Sequence, residues 1–575
     1  MTSALPATRP APRAGGQIVV DQLVLHGARQ VFTVPGESFL AVLDALHDAP
    51  IDLTVCRQEG GACMMAEAQG KLTGRPGICM VTRGPGATNA AAGLHIAMQD
   101  STPLILFVGQ IERSARGREA FQELDYRAVF GPMVKWADEI DDIRRIPELI
   151  ARAWAVACSG RPGPVVLALP EDMLVETAPV ADARPWTAPP EQAPGAAELA
   201  GLMDRVSAAQ RPMLVVGGSR WSAQTSAHLA RIAAHHALPV VCSFRRQTVF
   251  PADHPCHAGD LGFGPDPALL QRLRDADLVV LLGGRLSEVP SQGYTLLDIP
   301  APQQALVHIH PDPDELGRVY QADLAIAAAP DALCAAWAQA ISRDFSQPPP
   351  ASPGLLARVQ AAHAQALAWS DARAIRIPGR LQMGQVMQHL RSTLPGDTIV
   401  CNGAGNFALW VHRFWRFTTP GSQLAPTSGS MGYGLPAAVG AQRLWPERTV
   451  LCVAGDGDLL MHGQELATAV QYSLPIIVIV IDNGMLGTIR MHQEREYPGR
   501  VTATALHNPD FATWAQSFGA QAERVEDTAS FAPALARLRH WAAQHRRPVL
   551  LHCLIDPQAI SPTRTLDEVR GTRAT

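Results

Sequence analysis

The segment TVLCVAGDGDLLMHGQELATAVQYSLPIIVIVIDN, residues 449–483, decides the fold class of this 575-residue chain. An apolar run leads into the turn GDGD at 455–458, a helical pattern follows, and a second apolar run ends at Asn483. Uninterrupted Val, Ile and Leu runs are typical of parallel strands that are buried on both faces. The segment is therefore predicted to form a strand–helix–strand unit with Asp456 and Asn483 at one carboxyl edge.

Oxygen-bearing side chains at this edge predict a site for a metal ion and for phosphate groups. Ligands of open α/β sheets bind beyond the carboxyl ends of the strands. A hard dication prefers carboxylate, amide and carbonyl oxygens, and Asp456 and Asn483 supply the first two. Glycines in the turn allow the backbone to approach a phosphate, and the N-terminus of the following helix favours an anion.

Two proline-rich stretches divide the chain into segments. They are VETAPVADARPWTAPPEQAPGAAE, at about 175–198, and SQPPPASPG, at 346–354, and both are typical of extended linkers. The segments alternate apolar strands with helical patterns, which predicts an α/β protein of three doubly wound parallel-sheet domains. The predicted parts are a disordered tail (1–14), an N-terminal domain (15–175), a linker (176–198), a central domain (199–345), a linker (346–375), a C-terminal domain (376–560) and a tail (561–575).

The expected strands are the apolar runs of each segment. They read GICMVTRG, PLILFVGQ and PVVLALP in the first domain, PMLVVGGS, LPVVCSF, ADLVVLLGG and QALVHIH in the second, and DTIVCNG, TVLCVAGDG, PIIVIVIDN and PVLLHCLI in the third. Their length and Val/Ile/Leu content favour strands over helices.

Composition limits the classes of partner and the compartment. The formal net charge is -5, so no basic field attracts nucleic acid. The longest apolar run, LPIIVIVI, has only the length of a strand, so we expect no membrane-spanning segment. Ten cysteines without a CxxC pair are typical of reduced, buried thiols in a cytoplasmic protein. The N-terminal MTSALPATRPAPRAGG lacks the apolar core of a secretory signal.

Further stretches add glycine-rich turns at strand ends and a helix of small residues that begins at Glu59. They are VPGESF (34–39), RQEGGACMMAEAQGKLTGRPG (57–77), GPGATNAAAGL (84–94), AFQE (120–123), SGRPGPVVLALPEDM (159–173), SGSMGYGLPAAVGAQ (428–442), GDGDLLMHGQELATAV (455–470) and IDNGMLGTIR (481–490). Together they resemble the thiamin diphosphate (ThDP)-dependent family of acetolactate synthase-like enzymes. The resemblance extends over roughly residues 15–560, and it is dense in the two outer domains and sparse in the central one.

The resemblance implies roles for the residues that match the family motifs. Glu59 would hydrogen-bond N1′ of the cofactor's aminopyrimidine ring and so take part in general acid–base catalysis relayed through the cofactor. The Gly429 carbonyl and the Met431 amide would bind the opposite edge of that ring, and the Met431 side chain would hold the cofactor bent. Asp456, Asn483 and the Met485 carbonyl would bind Mg²⁺.

The diphosphate would lie among the glycine turns of the third domain. The residues implied are Gly405, Asn406, Gly455, Gly457 and Asp458. Asn406 and Phe407 depart from the Gln-His pair that is common at this point in the family, so the contact at this strand end is less secure.

The acceptor side of the site combines a match with two departures. Phe121 and Gln122 in AFQE match members of the synthase type, which favours carboligation over simple decarboxylation. Glu37 stands where biosynthetic synthases usually carry glycine, and His492 stands where they carry a tryptophan that selects the acceptor. These four residues are expected near the substrate, and surface positions remain the alternative for Glu37 and His492.

FAD is left open as a second, structural cofactor. The stretches VVGGSRW (215–221), LLGGRLSE (281–288) and HIHPDPDELG (308–317) resemble the loops that hold it in the family. Glycine turns of this kind also occur as ordinary connections in α/β domains. The stretch GGRLSEVPSQGY (283–294) lacks the RFDDR sequence whose neighbourhood holds FAD.

The resemblance implies a carboligase that decarboxylates pyruvate or a similar 2-ketoacid and joins the remaining unit to a second carbonyl. In synthases of this type the reaction serves branched-chain amino acid biosynthesis, although the departures argue against a standard biosynthetic enzyme. The alternative is a ThDP-dependent lyase, decarboxylase or C–C hydrolase that acts on a diketone or a 2-hydroxyacyl substrate. The family builds its site between two chains, which implies a homodimer or homotetramer. The motifs carry no information on a regulatory subunit.

Overall fold

A computed structural model describes residues 11–343 and 353–571, and its frame is three six-stranded sheets in which every strand is parallel to its neighbours. The chain divides into two compact units, residues 1–189 and 190–575. The first unit contains one sheet, and the second contains the other two. The predicted class, three doubly wound parallel-sheet domains, is confirmed.

The N-terminal sheet is built from apolar strands with helices between them. In spatial order its strands are Asp52–Val55, Gln30–Thr33, Gly77–Val81, Leu104–Gln110, Pro164–Pro170 and Trp136–Glu139. The helices are Gly15–Leu25, Leu40–His47, Glu59–Thr73, Pro85–Asn89, Ala91–Asp100, Tyr126–Phe130, Ile146–Cys158 and Glu171–Val175. A short antiparallel pair, Arg13–Ala14 with Thr177–Ala178, joins the two ends of this unit.

The central sheet follows after the first proline-rich stretch. Its strands in spatial order are His257–Asp260, Val240–Cys242, Pro212–Val216, Leu278–Leu282, Ala305–His310 and Leu324–Ala327. The helices are Ala196–Ala208, Ala223–His236, Pro267–Arg274 and Pro330–Arg343. Ser222 caps one of them, because its Oγ accepts a hydrogen bond from the Thr225 amide at 3.0 Å.

The C-terminal sheet contains the segment that decided the fold. Its strands in spatial order are Gln423–Leu424, Ile399–Asn402, Val450–Gly455, Ile477–Asp482, Val549–Leu554 and Gln521–Val525. The helices are Met383–Thr393, Ala408–Phe414, Gly434–Leu444, Asp456–Leu459, Glu465–Gln471, Gly487–Glu496, Phe511–Ser517, Thr528–His545 and Leu566–Gly571. Gly455 pairs with Ile481 in the sheet, so Asp456 and Asn483 leave it at the same carboxyl edge, as predicted.

The outer sheets share one strand order. Numbered along the chain within each sheet, both read 2-1-3-4-6-5, whereas the central sheet reads 3-2-1-4-5-6. In each order two adjacent strands lead to connections on opposite sides, and this switch point opens a crevice at the carboxyl edge. The crevice of the outer sheets lies between their first and third strands.

Two predicted linker or tail segments contain helices. The segment 346–375 includes the helix Pro353–Trp369, in which Val359 and Ala362 are buried. The segment 561–575 includes the helix Leu566–Gly571, whose Leu566 and Val569 are buried. Apolar residues at helical spacing therefore outweigh the neighbouring prolines. Positions 1–10, 344–352 and 572–575, which include parts of the predicted tails and linker, lie outside the described residues.

The ten cysteines all carry free thiols, and Cys158 alone among them is half-exposed. Among the described residues, no helix combines the length and the apolar character required to cross a bilayer.

Candidate cofactor and metal site

A cavity of about 240 Å³ opens at the carboxyl edge of the C-terminal sheet. Its lining includes every metal or cofactor residue that the sequence analysis assigned to this domain: Gly405, Asn406, Gly429, Met431, Gly455, Asp456, Gly457, Asp458, Asn483 and Met485. The fold thus brings residues from four separate loops around one space. What these residues bind stays a prediction.

Asp456 is held by a network of buried polar groups. Its Oδ2 accepts a hydrogen bond from Asn508 Nδ2 at 2.8 Å, and the same amide donates to Asp482 Oδ1 at 2.9 Å. Asp482 Oδ2 lies 2.9 Å from His552 Nε2. Burial raises the pKa of Asp456 to about 6, and the Asp482 charge adds to the rise against the Asn508 hydrogen bond. A cation at this position would compensate the buried negative charge.

Asp458 holds two loops of the cavity together. Its Oδ1 accepts hydrogen bonds from the Gly432 amide at 2.9 Å and from the Ala404 amide at 3.0 Å. Burial raises the pKa of this carboxyl group to about 7, with the two amides opposing the rise. Among the described residues its Oδ2 has no hydrogen-bond partner. The side chain therefore positions the backbone next to Met431 and Gly405.

Asn483 and Met485 lie on a turn that follows the strand Ile477–Asp482. Asn483 Oδ1 accepts from the Met485 amide at 3.2 Å. Gly484 between them has a φ of +68°, a conformation that glycine adopts without strain. Met485 also forms an antiparallel bridge with Ala505, which fixes the turn against a neighbouring loop.

Glycines in the turn that lines the cavity leave the backbone open between neighbouring side chains. A Cβ atom at Gly457 would lie 2.8 Å from Leu486 Cδ2 and 3.8 Å from Met431 Cε. A Cβ atom at Gly455 would lie 2.7 Å from the Phe407 ring. Larger residues would fill the space that a diphosphate needs, so this part of the cavity is built for close approach to the backbone.

Asn406 and Phe407, which replace the Gln-His pair common in the family, make contacts with other loops of the cavity. Asn406 Oδ1 accepts a hydrogen bond from Thr488 Oγ1 at 2.9 Å, and its Nδ2 lies 3.6 Å from Met491 Sδ. The Phe407 ring packs near Gly405 and Gly455. Asn406 thus connects the strand-end turn to the helix Gly487–Glu496, a contact that the motif alone did not indicate.

These residues fit a divalent metal and a diphosphate. The donor set combines a buried carboxylate, an amide side chain and a turn carbonyl, which are ligands of the type that Mg²⁺ prefers. Burial raises the pKa of Asp456 to about 6, so a cation beside this carboxylate would favour its charged form. The glycine-lined wall next to it offers backbone groups in place of side chains.

Glu59 lies in the N-terminal unit, at the first position of the helix Glu59–Thr73. The Gln58 side chain caps this helix by accepting from the Gly61 amide at 2.9 Å. Glu59 Oε2 accepts a hydrogen bond from Asn89 Nδ2 at 3.0 Å. A Cβ atom at Gly86 would lie 3.4 Å from Glu59 Oε1, so the glycine leaves room beside the carboxylate. Asn89 orients Glu59, and sequence reasoning did not single it out.

Glu37 and Phe121 come together around Arg83. Arg83 is buried, its Nη2 lies 3.5 Å from Glu37 Oε1, and its Nη1 lies 2.9 Å from Glu171 Oε2. Its Nε donates to the Phe121 carbonyl at 3.3 Å. The Phe121 side chain is 75% exposed, which is unusual for a large apolar residue and leaves it available for contact. Gln122 is half-buried with a φ of +65°.

His492 is not brought into the cavity of its own domain. It is exposed on the helix Gly487–Glu496, where Nδ1 pairs with Arg495 Nη2 at 2.7 Å. The cavity is lined instead by Gly487, Thr488 and Ile489, on the first turn of the same helix. The role of His492 in substrate selection stays a prediction.

The three stretches considered for FAD follow neighbouring strands of the central sheet. At the switch point of this sheet, the turn at Gly218 packs against the turn at Gly283. The approach is so close that a Cβ atom at Gly218 would collide with the Gly283 carbonyl. His308 Nε2 lies 3.0 Å from the Gly284 carbonyl. The loops are therefore adjacent, and FAD stays a prediction.

Arg245 links the central domain to the cavity wall and was missed in the sequence. Its guanidinium is buried and donates to the Gly403 carbonyl at 2.9 Å and to the Pro426 carbonyl. These carbonyls lie on the loops that lead to Gly405 and Gly429. A basic residue in an otherwise ordinary strand-end loop gave no local signal for this long-range contact.

Comparisons with known proteins agree with this geometry. Residues 13–129 match the N-terminal TPP binding domain of thiamine pyrophosphate enzymes, residues 199–336 match their central domain, and residues 403–553 match their C-terminal TPP binding domain.

Similar proteins cover nearly the whole chain. Acetolactate synthase isozyme 2 large subunit of Escherichia coli (strain K12) is 32% identical over 548 residues, 94% of this chain and 95% of that protein. The acetolactate synthase large subunit of Parasynechococcus marenigrum is 32% identical over 91% of this chain and 85% of its own. The probable acetolactate synthase large subunit of Methanocaldococcus jannaschii is 30% identical over 95% of this chain and 93% of its own. The chain therefore belongs to the thiamine pyrophosphate enzymes, as an enzyme similar to the acetolactate synthase large subunits.

Proposed function

We propose that this protein is a ThDP- and Mg²⁺-dependent 2-ketoacid carboligase of the acetolactate synthase type. The relatives named acetolactate synthase support the reaction class. The observation that carries the proposal is the convergence of ten motif residues on one glycine-lined cavity with a buried acid.

At the carboxyl edge of the C-terminal sheet, the proposed role of the residues is to bind Mg²⁺ and the cofactor. Asp456, Asn483 and the Met485 carbonyl would hold Mg²⁺, and the bound ion would supply positive charge beside the buried carboxylate and the diphosphate. Asn508 keeps Asp456 in one orientation through its hydrogen bond of 2.8 Å. Met431 faces the same cavity and supports the cofactor by packing.

In the N-terminal unit, the proposed role of Glu59 is proton transfer. Glu59 holds or accepts a proton at N1′ of the aminopyrimidine, and Asn89 fixes one of its two oxygens. Bound ThDP supplies an electron sink that makes loss of carbon dioxide from a 2-ketoacid feasible. The overall proposed reaction joins two ketoacids into a 2-hydroxy-3-ketoacid with release of one carbon dioxide.

The runner-up is a lyase, decarboxylase or C–C hydrolase that acts on a diketone or 2-hydroxyacyl substrate. Glu37 supports it, because this carboxylate is 61% exposed and is paired with the buried Arg83. An oriented acid near the acceptor side suits protonation of an intermediate as well as acceptor binding.

The test is product analysis of purified protein with ThDP, Mg²⁺ and pyruvate, with and without FAD. We expect acetolactate and carbon dioxide from the wild type and neither from Glu59→Gln. Glu148→Gln is the matched control, because Glu148 also lies in the first turn of a helix of the same unit. Acetaldehyde with carbon dioxide would indicate a decarboxylase. Absence of turnover with pyruvate would reject pyruvate as the donor and direct the assay to other 2-ketoacids, diketones and hydroxyacyl substrates.

We also propose FAD as a structural cofactor of the central domain and a homodimer or homotetramer as the assembled enzyme. Absorbance of FAD retained after gel filtration tests the first proposal. Light scattering on the same sample tests the second, and a mass of one chain would reject it.

A further inference from the structure

Three potential metal ligands meet in the central domain, away from the thiamin site. Cys242 Sγ, a ring nitrogen of His257 and a carboxylate oxygen of Asp260 all lie within 4.8 Å of one another. Cys242 and Asp260 end neighbouring parallel strands, so the cluster sits at the carboxyl edge of the sheet. No motif pointed to these residues.

A β-bulge brings the three side chains to one face. His257 and Asp260 are three positions apart, so in a regular strand their side chains would point to opposite faces. The register shifts between Val240 and Val241, and as a result His257 pairs with Val240 while Asp260 pairs with Cys242. Val240 and Cys242 are two positions apart and so point to the same face of the sheet. Their partners His257 and Asp260 therefore point to that face as well, beside Cys242. Bulges that redirect side chains are frequent next to functional sites.

The cluster contains polar atoms that the protein itself leaves unsatisfied. His257 is 5% exposed, and among the described residues neither of its ring nitrogens has a hydrogen-bond partner. Its Nε2 lies 3.5 Å from Asp260 Oδ1, which also has no hydrogen-bond partner there. The Cys242 thiol lies 3.9 Å and 4.0 Å from two carbonyl oxygens, and it also interacts with Asp260. Buried polar groups without partners are costly and call for an explanation.

We propose that Cys242, His257 and Asp260 bind a divalent transition metal of the zinc class. Thiolate, imidazole and carboxylate form a ligand set of the type that Zn²⁺ takes, with a fourth position left for water. The thiolate and the carboxylate together carry two negative charges, so the loaded site is neutral. This neutrality matters because the cluster is buried.

Binding includes one proton transfer. An ordinary cysteine thiol carries its proton at neutral pH, and the thiolate is the form that binds a metal. The metal replaces that proton on Sγ, and the proton leaves to solvent for each ion bound.

The surroundings supply an entry path and an outer hydrogen bond. A second cavity, of about 80 Å³, is lined by His257 and Asp260. Gln247 Nε2 donates to Asp260 Oδ2 at 3.0 Å and so orients the carboxylate. Gln247 also exchanges hydrogen bonds with Gln423 of the C-terminal domain, at 3.0 Å and 2.9 Å. The metal would therefore stabilise the junction of these two domains.

The experiment uses the full-length protein stripped with a chelator and then given excess Mg²⁺ to occupy oxygen-ligand sites. Co²⁺ is added as a spectroscopic probe, followed by Zn²⁺ as a competitor. We expect one Co²⁺ per chain with a thiolate-to-cobalt charge-transfer band that Zn²⁺ abolishes. Absence of this band in the wild type overturns the proposal, and this result needs no variant.

Variants assign the ligands. Cys242→Ser removes the band, and His257→Gln weakens Co²⁺ binding by at least about tenfold. Cys256→Ser is the matched control, because Cys256 is a buried thiol adjacent to His257 in sequence but outside the cluster. A band that persists in Cys242→Ser overturns the assignment. Zn²⁺ should raise the thermal midpoint of the wild type and of Cys256→Ser, and leave that of Cys242→Ser unchanged.

Discussion

The N-terminal and C-terminal sheets have the same strand order but carry different chemistry at their carboxyl edges. Both read 2-1-3-4-6-5, and in both the candidate site residues lie on loops beyond the carboxyl ends of the strands. The N-terminal loops bring Glu59 next to Asn89. The C-terminal loops bring glycines next to Asp456 and Asn483. The strand order is therefore shared, and in the proposed mechanism the side chains decide whether the edge transfers protons or binds a metal and phosphate.

The central sheet is the contrasting case. Its order, 3-2-1-4-5-6, also has a switch point, but glycine turns pack against each other there, with Gly218 against Gly283. The proposed ligand set lies on the next two strands outward from this point, Val240–Cys242 and His257–Asp260. A switch point therefore provides an opportunity for a site and does not by itself specify one.

The largest expected effect comes from the carboxylate of the N-terminal edge. Glu59→Gln should lower turnover by about 10²–10⁴-fold, because the amide cannot exchange a proton with the cofactor. Steady-state acetolactate formation measures it, with Glu148→Gln as control. ThDP affinity should stay near that of the wild type. A variant with more than a tenth of the wild-type rate would contradict the assigned role.

The next effect separates the proposed metal site at the C-terminal edge from the proposed proton transfer at the N-terminal edge. Asn508→Ala frees Asp456 and Asp482, so we expect Mg²⁺ to bind about 10–100-fold more weakly. The Mg²⁺ dependence of turnover at saturating ThDP measures this, since excess metal should restore the rate. His507→Ala removes the exposed neighbour and should leave the Mg²⁺ dependence unchanged. Equal effects of the two substitutions would count against the network.

A smaller effect tests the contribution of the central domain to the C-terminal edge. Arg245→Met removes two hydrogen bonds from a charged donor to the carbonyls of Gly403 and Pro426. We expect a loss of about 1–3 kcal/mol in the free energy of unfolding and weaker ThDP binding. Arg274→Met, on an exposed helix end, is the control. Unchanged ThDP affinity in Arg245→Met would show that the loops hold their positions without it.

The smallest effect at neutral pH concerns the central sheet. Burial lowers the pKa of His310 from 6.5 to about 4, and its neutral Nδ1 accepts from the Asp312 amide at 3.0 Å. As the pH falls, His310 of the unfolded chain is protonated near pH 6.5, whereas His310 of the folded chain stays neutral until about pH 4. The contribution of the neutral His310 to the free energy of unfolding is therefore complete above pH 6.5 and is lost as the pH falls toward 4. The loss is at most about 1.4 kcal/mol per pH unit.

Thermal midpoints between pH 7 and pH 4 measure this dependence. His310→Gln lacks the titration and should show a shallower decline than the wild type. Parallel declines of the two proteins would mean that other groups control the acid transition.

The sequence predicted the fold class, and it predicted which residues come together around the C-terminal cavity, because both depend on local pattern. All eleven expected strands form, and they share long apolar runs. The strands that the pattern missed are short, and most lie at sheet edges, such as Trp136–Glu139 and Gln521–Val525. Edge strands face solvent on one side and need fewer apolar residues, so their signal is weak.

The missed functional residues share a different cause. Arg83, Asn508 and Arg245 act through contacts with residues far away in the chain. Asp482 could have been singled out, since it immediately precedes Asn483 at the end of a predicted strand. The alignment of Cys242 with His257 depends on a bulge, which local periodicity does not reveal. Side-chain direction and long-range pairing are set only when the sheet has assembled.

The most direct test of the division of labour is calorimetric titration of ThDP into the wild type, Glu59→Gln and Asp456→Asn, each with and without Mg²⁺. We predict that Mg²⁺ strengthens ThDP binding in the wild type and in Glu59→Gln, while Asp456→Asn loses this enhancement. The account is contradicted if Asp456→Asn keeps the Mg²⁺-dependent gain, or if the wild type shows none.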